Sequence, residues 1–147
     1  MCNLTADAPR IFETGHDEYL NEITLTASTK IYAGSAVGTS SSLARQLVAG
    51  DPFVGFCTEY CDSTVSTDLN IPTRGYATRV KVKSKGVVKL SVVGVTAVTN
   101  EGATVYASDG ATFTLSSTSN TAIGKILHWE VGTTCLVAFD ALRTQSL

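Results

Sequence analysis

Apolar and polar positions alternate along the second half of this chain, and the alternation predicts strands. Ala77-Thr78-Arg79-Val80-Lys81-Val82-Lys83 sets Val80 and Val82 on one face and Arg79, Lys81 and Lys83 on the other. That is the pattern of a half-buried antiparallel strand. Ser84-Lys85-Gly86 reads as a turn, with 87–95 returning as a more completely buried strand. Asn100-Glu101-Gly102 turns the chain again. Ala103, Val105 and Ala107 then face inward while Thr104 and Tyr106 face out. Ser108-Asp109-Gly110 is a tight hairpin signal. Ala111, Phe113 and Leu115 alternate with Thr112 and Thr114, and 116–120 is a polar loop. Residues 122–131 read as a buried strand with Gly124 at a bulge. After the turn at Gly132-Thr133, Cys135, Val137 and Phe139 alternate with Leu136 and Ala138 to close the pattern.

The first half is less regular. Lys30-Ile31-Tyr32-Ala33 reads as a first barrel strand and Gly38-Thr39-Ser40-Ser41-Ser42 as a loop. Residues 43–49 fit either a helical turn capped by Ser42 or a strand. Gly50-Asp51-Pro52 is a turn, 53–60 a strand and Cys61-Asp62-Ser63-Thr64 the loop after it. Residues 69–75 form a connection in which Pro72 argues against a central strand. About eight short strands at this spacing suit an all-β fold, a small antiparallel barrel or barrel-like sandwich.

Residues 1–28 hold no long period. Their apolar residues are scattered: Leu4, Ile11, Phe12, Tyr19, Leu20, Ile23 and Leu25. Residues 21–26 alternate weakly, with Ile23 and Leu25 on one face, and suit an edge strand. The expected organisation is an extended N-terminal arm over 1–28 and a β-barrel domain over 29–147.

At 147 residues the chain is long enough for one domain with a real core. Ser, Thr, Ala, Val and Gly dominate, which suits pleated surfaces and tight turns. A formal net charge of −2 supplies no general attraction to nucleic acid or anionic membrane. The distribution of charge says more. Asp7, Glu13, Asp17, Glu18 and Glu22 face only Arg10 near the start, whereas Arg74, Arg79, Lys81, Lys83, Lys85 and Lys89 cluster in the middle. One reading is a solvated arm and a solvated strand face. The other is charge complementarity between neighbouring copies, or between the barrel and a large partner surface. The start has no basic and apolar leader pattern, and the most apolar run, 87–98, is broken by Lys89 and Gly94. The expectation is a protein made in a cytoplasm, with its four cysteines reduced.

An ordered series of segments resembles the capsid decoration (cement) proteins of tailed bacteriophages. It runs from Gly50-Asp51-Pro52-Phe53-Val54-Gly55-Phe56 through the alternating stretch 80–95 to Gly102-Ala103-Thr104-Val105-Tyr106. It continues with Asp109-Gly110-Ala111-Thr112-Phe113-Thr114 and Thr121-Ala122-Ile123-Gly124-Lys125-Ile126-Leu127, and ends at Val137-Ala138-Phe139. The likeness covers the final two thirds of the chain, and the first 45 residues carry no match. It implies a small trimeric β-barrel on the outer surface of an icosahedral phage head, without catalysis. The partners it implies are the major capsid protein and further copies of the chain as a homotrimer. In that setting Ile11, Phe12, Tyr19, Leu20 and Ile23 are the expected arm anchors on neighbouring capsid subunits. Arg79, Lys81, Lys83 and Lys85 are expected to supply polar contacts to the shell or to the next protomer.

Other chemistry finds little to stand on. Cys57 and Cys61, with His128 and Cys135 downstream, do not match a zinc-finger or ribbon spacing, so the cysteines read as buried or loop thiols and no metal or cofactor is expected. A Cys57–Cys61 disulfide formed after cell lysis is the alternative, and Cys2 reads as a free arm thiol. His16 and His128 are the two histidines, and no Gly-x-Ser-x-Gly elbow accompanies them. Asp17 and Glu18 diverge on an extended chain, unlike a glycosidase pair. Lys85 lacks the neighbours of a lipoyl or biotinyl lysine. The basic stripe lacks the interleaved aromatics of a single-strand nucleic-acid binder. The expected function is therefore that of a virion structural protein rather than an enzyme, with no nucleic-acid or membrane partner. The alternatives are a head-fibre base or tail adaptor, or a ligand- or carbohydrate-binding β-module.

Overall fold

The structure, a computed structural model, describes residues 4–12, 19–64 and 76–141. Cys2, His16, Asp17, Glu18, Arg74 and the 69–75 connection lie outside the described residues. The strands are β1 (Tyr19–Thr24), β2 (Lys30–Ile31), β3 (Ala36–Ser40), β4 (Leu43–Gln46), β5 (Phe53–Cys57), β6 (Cys61–Asp62), β7 (Arg79–Val93), β8 (Thr104–Ala107), β9 (Phe113–Thr114), β10 (Thr121–Val131) and β11 (Thr134–Asp140). A 3₁₀ turn, Val98–Asn100, lies between β7 and β8. No helix among the described residues is long and apolar enough to cross a membrane.

Strand β7 organises the molecule. Its C-terminal half pairs with β11 on one side and, in parallel, with β9 on the other. From β11 the pairing passes through β10 and β8 back to β9, closing a barrel. The N-terminal half of β7 carries the outer strands. β5, β3 and β4 follow in order on one side and β1 lies on the other. Just past β1, Leu25 bridges Ala44 of β4, and the Thr26 N–H donates to the Ala44 carbonyl at 3.0 Å. β2 and β6 form a separate two-stranded sheet.

Two hydrophobic clusters follow from this arrangement. The larger includes Phe53, Phe56, Val88, Leu90, Val92, Phe113, Ile123, Val137 and Phe139. The smaller includes Leu25, Ile31, Val37, Val54, Cys57, Val80 and Val82. β5 lies between them, its five residues all buried, with Phe53 and Phe56 in one cluster and Val54 and Cys57 in the other. A strand covered on both faces carries a continuous apolar run, which is what Phe53-Val54-Gly55-Phe56-Cys57 is. Phe56 meets Phe53, Phe113 and Phe139 at centroid distances of 5.5, 5.9 and 5.0 Å. Each such buried ring contributes about 2–3 kcal/mol by area, with edge-to-face pairing adding to it.

Several expectations from the sequence need correction. Ser84-Lys85-Gly86 is not a turn: β7 runs straight through it. Buried Ser84 stays in the strand because its Oγ–H donates to the Val54 carbonyl at 2.9 Å. Gly86 pairs with Phe139. Lys85 therefore sits mid-strand, not at a hairpin tip. Residues 38–40 belong to β3, and the turn is Ser41-Ser42, both at positive φ. This resolves the ambiguity at 43–46 in favour of strand β4. Lys30-Ile31 and Cys61-Asp62 pair with each other, so the former is no barrel strand and the latter no loop.

The leading segment is extended and lies against its own barrel. The Ala8 N–H donates to the Ala33 carbonyl at 2.8 Å, and the Arg10 Nε–H to the Gly34 carbonyl at 2.8 Å. The Ile11 carbonyl accepts from the Lys89 N–H at 2.9 Å, and Phe12 bridges Val88. Gly34, at φ +90°, is required there because a Cβ would strike the Ala8 carbonyl.

Candidate functional site

The outer face of β1 and β7 gathers four of the nine residues expected to make contacts: Leu20, Arg79, Lys81 and Lys83. The two strands are antiparallel, with Leu20 opposite Lys83, Glu22 opposite Lys81 and Thr24 opposite Arg79. Directly opposed residues share a face, so these six side chains form three rungs of one ladder. The register jumps between Tyr19 and Leu20, skipping Ser84 on β7. That bulge falls where Ser84 turns inward to Val54.

Two open hollows flank the ladder. Leu20, Asn21, Glu22, Thr58, Lys81 and Lys83 line one of about 580 Å³. The other, of about 440 Å³, shares Glu22 and Lys81 and adds Glu59, Tyr60, Cys61, Tyr76 and Arg79 among its walls. The face is thus mixed in charge, with a surface-exposed Leu20 (65 %) and a half-exposed Tyr76 at its margins. It suits contact with another macromolecular surface better than enclosure of a small molecule.

The expected arm anchors divide by direction. Ile11 and Leu20 point outward, at 64 % and 65 % exposure. Phe12 is half-buried against the larger cluster, its ring 6.2 Å from Phe56 and 6.1 Å from Phe139. Ile23 packs on the smaller cluster. Tyr19 opens β1, and its side chain is outside what the structure describes.

The cations also divide. Arg79 and Lys81 are exposed on the ladder. The Lys83 ammonium sits 4.1 Å over the Phe12 ring. Lys85 is in register with Tyr19 on one side and Asp140 on the other, away from both hollows. Lys89 pairs with Glu130 at 3.2 Å. The sequence reading did not single out Glu22, Thr58, Glu59 or Tyr76 for this face. For Glu22 the signal was present, since it stands two residues from Leu20 on a strand; Thr58, Glu59 and Tyr76 come from loops and arrive only through the fold.

Among the described residues no group of three or more His, Cys, Asp or Glu side chains is placed to hold a metal ion. His128 is exposed on β10, its Nδ1 3.3 Å from Glu101 Oε2. The same carboxylate accepts the Trp129 N–H at 2.9 Å, which ties β10 to the turn after the 3₁₀ segment. Trp129 packs on the larger cluster, and its Nε1–H donates to the Gly132 carbonyl at 3.0 Å.

No family model and no curated protein matches the sequence. Among solved structures, the fold is similar to that of a chain in the capsid of Myoviridae phage XM1. The superposition has a TM-score of 0.58 at 14 % identity and covers 95 % of this chain and 94 % of that one.

Proposed function

We propose that this chain is a virion structural protein that sits on the outer surface of an icosahedral phage head as a trimer. There it stabilises the expanded shell by bridging neighbouring major capsid subunits. One observation carries this reading: the fold resembles a capsid chain end to end, over nearly the whole of both molecules. The β1–β7 face supports it, because a bridging protein needs a broad, mixed-charge contact surface on a rigid platform. Leu20, exposed at the margin of that platform, and Ile11, exposed farther along β7 beside Lys89, are the apolar anchors, and Arg79 and Lys81 supply steering charge. Capsid expansion creates subunit seams, and a protein that binds only those seams stabilises the expanded state by mass action. Three copies per trimer, repeated over the lattice, add avidity to modest contacts.

The test is occupancy on expanded heads that lack the protein, measured by co-sedimentation and counted against the shell subunit. Hundreds of copies per particle, with heads surviving heat better after binding, is the expected result. A handful per particle points instead to a head-fibre base or tail adaptor. No binding overturns the capsid reading.

A further inference from the structure

Cys57 closes β5 and Cys61 opens β6, and the three residues between them fold the two thiols onto one acceptor. The Cys57 S–H donates to the Glu59 carbonyl at 2.8 Å, and the Cys61 sulfur lies 3.6 Å from the same oxygen. Two sulfurs held around one oxygen are within a side-chain rotation of each other. We propose that Cys57 and Cys61 form a thiol–disulfide couple, reduced where it is made and closed to a disulfide by small-molecule disulfides once the protein meets an oxidising medium.

The surroundings give the two sulfurs different tasks. Cys61 is buried at 3 % exposure, but unlike Cys135 it contributes to the wall of the hollow shared with Arg79 and Lys81, which is the side from which a small reagent approaches. When Cys61 ionises, the Cys57 S–H can turn from the Glu59 carbonyl to it, and that hydrogen bond, with a smaller contribution from Lys81, lowers the Cys61 pKa against the opposing effects of burial and the Glu59 charge. The same hydrogen bond, then burial, raises Cys57 and holds it protonated. Cys61 is therefore the attacking thiolate and Cys57 the resolving thiol.

In the first step the Cys61 thiolate attacks one sulfur of the reagent. A mixed disulfide forms and one small thiolate leaves. Capping Cys61 removes the thiolate that accepts the Cys57 hydrogen bond, the first cause of the raised Cys57 pKa. Cys57 then loses its proton to solvent and attacks the Cys61 sulfur, releasing the second small thiolate. Two protein thiols are oxidised and one small disulfide is reduced to two thiols. The product pins the Thr58–Tyr60 turn, part of the wall of the contact face, and frees the Glu59 carbonyl to accept another donor.

Cys135 is the internal control. It is buried in β11 within the larger cluster, and burial with the nearby Glu130 pushes its thiol up to about 11. It reacts only after unfolding.

The experiment uses the reduced full chain, equilibrated with mixtures of reduced and oxidised glutathione, quenched with acid, alkylated and peptide-mapped. The expected result is loss of two alkylatable thiols, both at Cys57 and Cys61, with two hydrogens lost in mass and Cys135 untouched before denaturation. In Cys57→Ser the reaction stops at a glutathione adduct on Cys61; in Cys61→Ser, Cys57 stays free. Circular dichroism confirms that both variants fold. Retention of both thiols in the most oxidising mixture, a disulfide to Cys2, or an adduct forming on Cys57 but not on Cys61 overturns the proposal. The outcome is independent of whether the protein binds a capsid.

Discussion

Phe12 and Ile11 are neighbours in sequence with opposite duties, and exchanging each for alanine separates them. Phe12 lies half-buried against Phe56 and Phe139, with the Lys83 ammonium 4.1 Å above its ring. Full truncation of a buried Phe costs about 3–5 kcal/mol. Partial exposure removes roughly half of that, and the lost edge-to-face and cation–π contacts restore about 1 kcal/mol. Phe12→Ala should therefore destabilise the fold by about 2.5–3.5 kcal/mol, lowering Tm by roughly 7–12 °C. Ile11 is 64 % exposed, and Ile11→Ala should stay within about 0.5 kcal/mol of the parent.

The assay is guanidinium unfolding followed by the fluorescence of Trp129, the single Trp, which packs on the same cluster as Phe12. The head-occupancy measurement supplies the second axis. Ile11→Ala should weaken occupancy without loss of stability. Phe12→Ala should lose stability first, with occupancy falling only as the folded fraction falls. If Phe12→Ala unfolds at the parent midpoint, the leading segment is no part of this domain, and the packing described for it is wrong.

Substitutions at three further places test other parts of the structure. A Cβ at Gly124 would strike the Ala138 carbonyl and come within 2.9 Å of the Phe139 Cα, so Gly124→Ala should cost about 2–3 kcal/mol by the same denaturation assay, and parent-like behaviour would mean that β10 and β11 are not so close. Asp51 accepts Arg45 Nε–H and Nη2–H at 2.9 and 2.8 Å and the Val48 N–H at 3.2 Å, so Asp51→Ala should cost about 2 kcal/mol and Asp51→Asn less, measured as shifts of the unfolding midpoint. Arg79→Glu with Lys81→Glu should reduce head occupancy at low salt by tenfold or more, with stability held within about 1 kcal/mol; undiminished occupancy removes the ladder from the contact face.

The closed barrel was legible because its strands alternate. Val105 and Ala107, and Cys135, Val137 and Phe139, are buried as their spacing requires. The misreading at Ser84-Lys85-Gly86 came from residue identity overriding phase. Inward positions on β7 fall on even numbers from Val80 through Val82, Ser84 and Val88 to Leu90 and Val92 without a slip. A turn would have been free to break that phase, so its continuity was the better signal. β5 approaches closely there: Ser84 donates to the Val54 carbonyl, and a Cβ at Gly55 would strike the Lys83 carbonyl. Such an approach is set by the tertiary fold and leaves no mark in local periodicity. β3 was hidden for a related reason. Ala36 and Val37 are buried, but its remaining residues, Gly38, Thr39 and Ser40, are of types that loops use as readily. The candidate face was half legible. The basic alternation of Arg79, Lys81 and Lys83 stood out, but that β1 lies beside it could not be read from a six-residue strand with one weak period.

The pairing of β1 with β7 changes what the charge asymmetry of the chain means. An acidic start and a basic middle suggest attraction between separate molecules, yet Glu22 lies opposite Lys81 in the same chain. Part of the complementarity is therefore spent within the fold, where an exposed cross-strand pair contributes only a few tenths of a kcal/mol. What it gains is placement. β1 is held at one register by Leu25, which is buried, by Ile23 on the smaller cluster, and by Glu22 opposite Lys81. Leu20 is thereby fixed beside Lys83 on the platform. A contact residue held this way loses little freedom on docking, whereas the same residue on a free tail must be ordered at a cost of about 1–2 kcal/mol per backbone position. In the proposed role, the leading segment would therefore serve docking best where it is already bound to its own barrel, with Ile11 and Leu20 exposed.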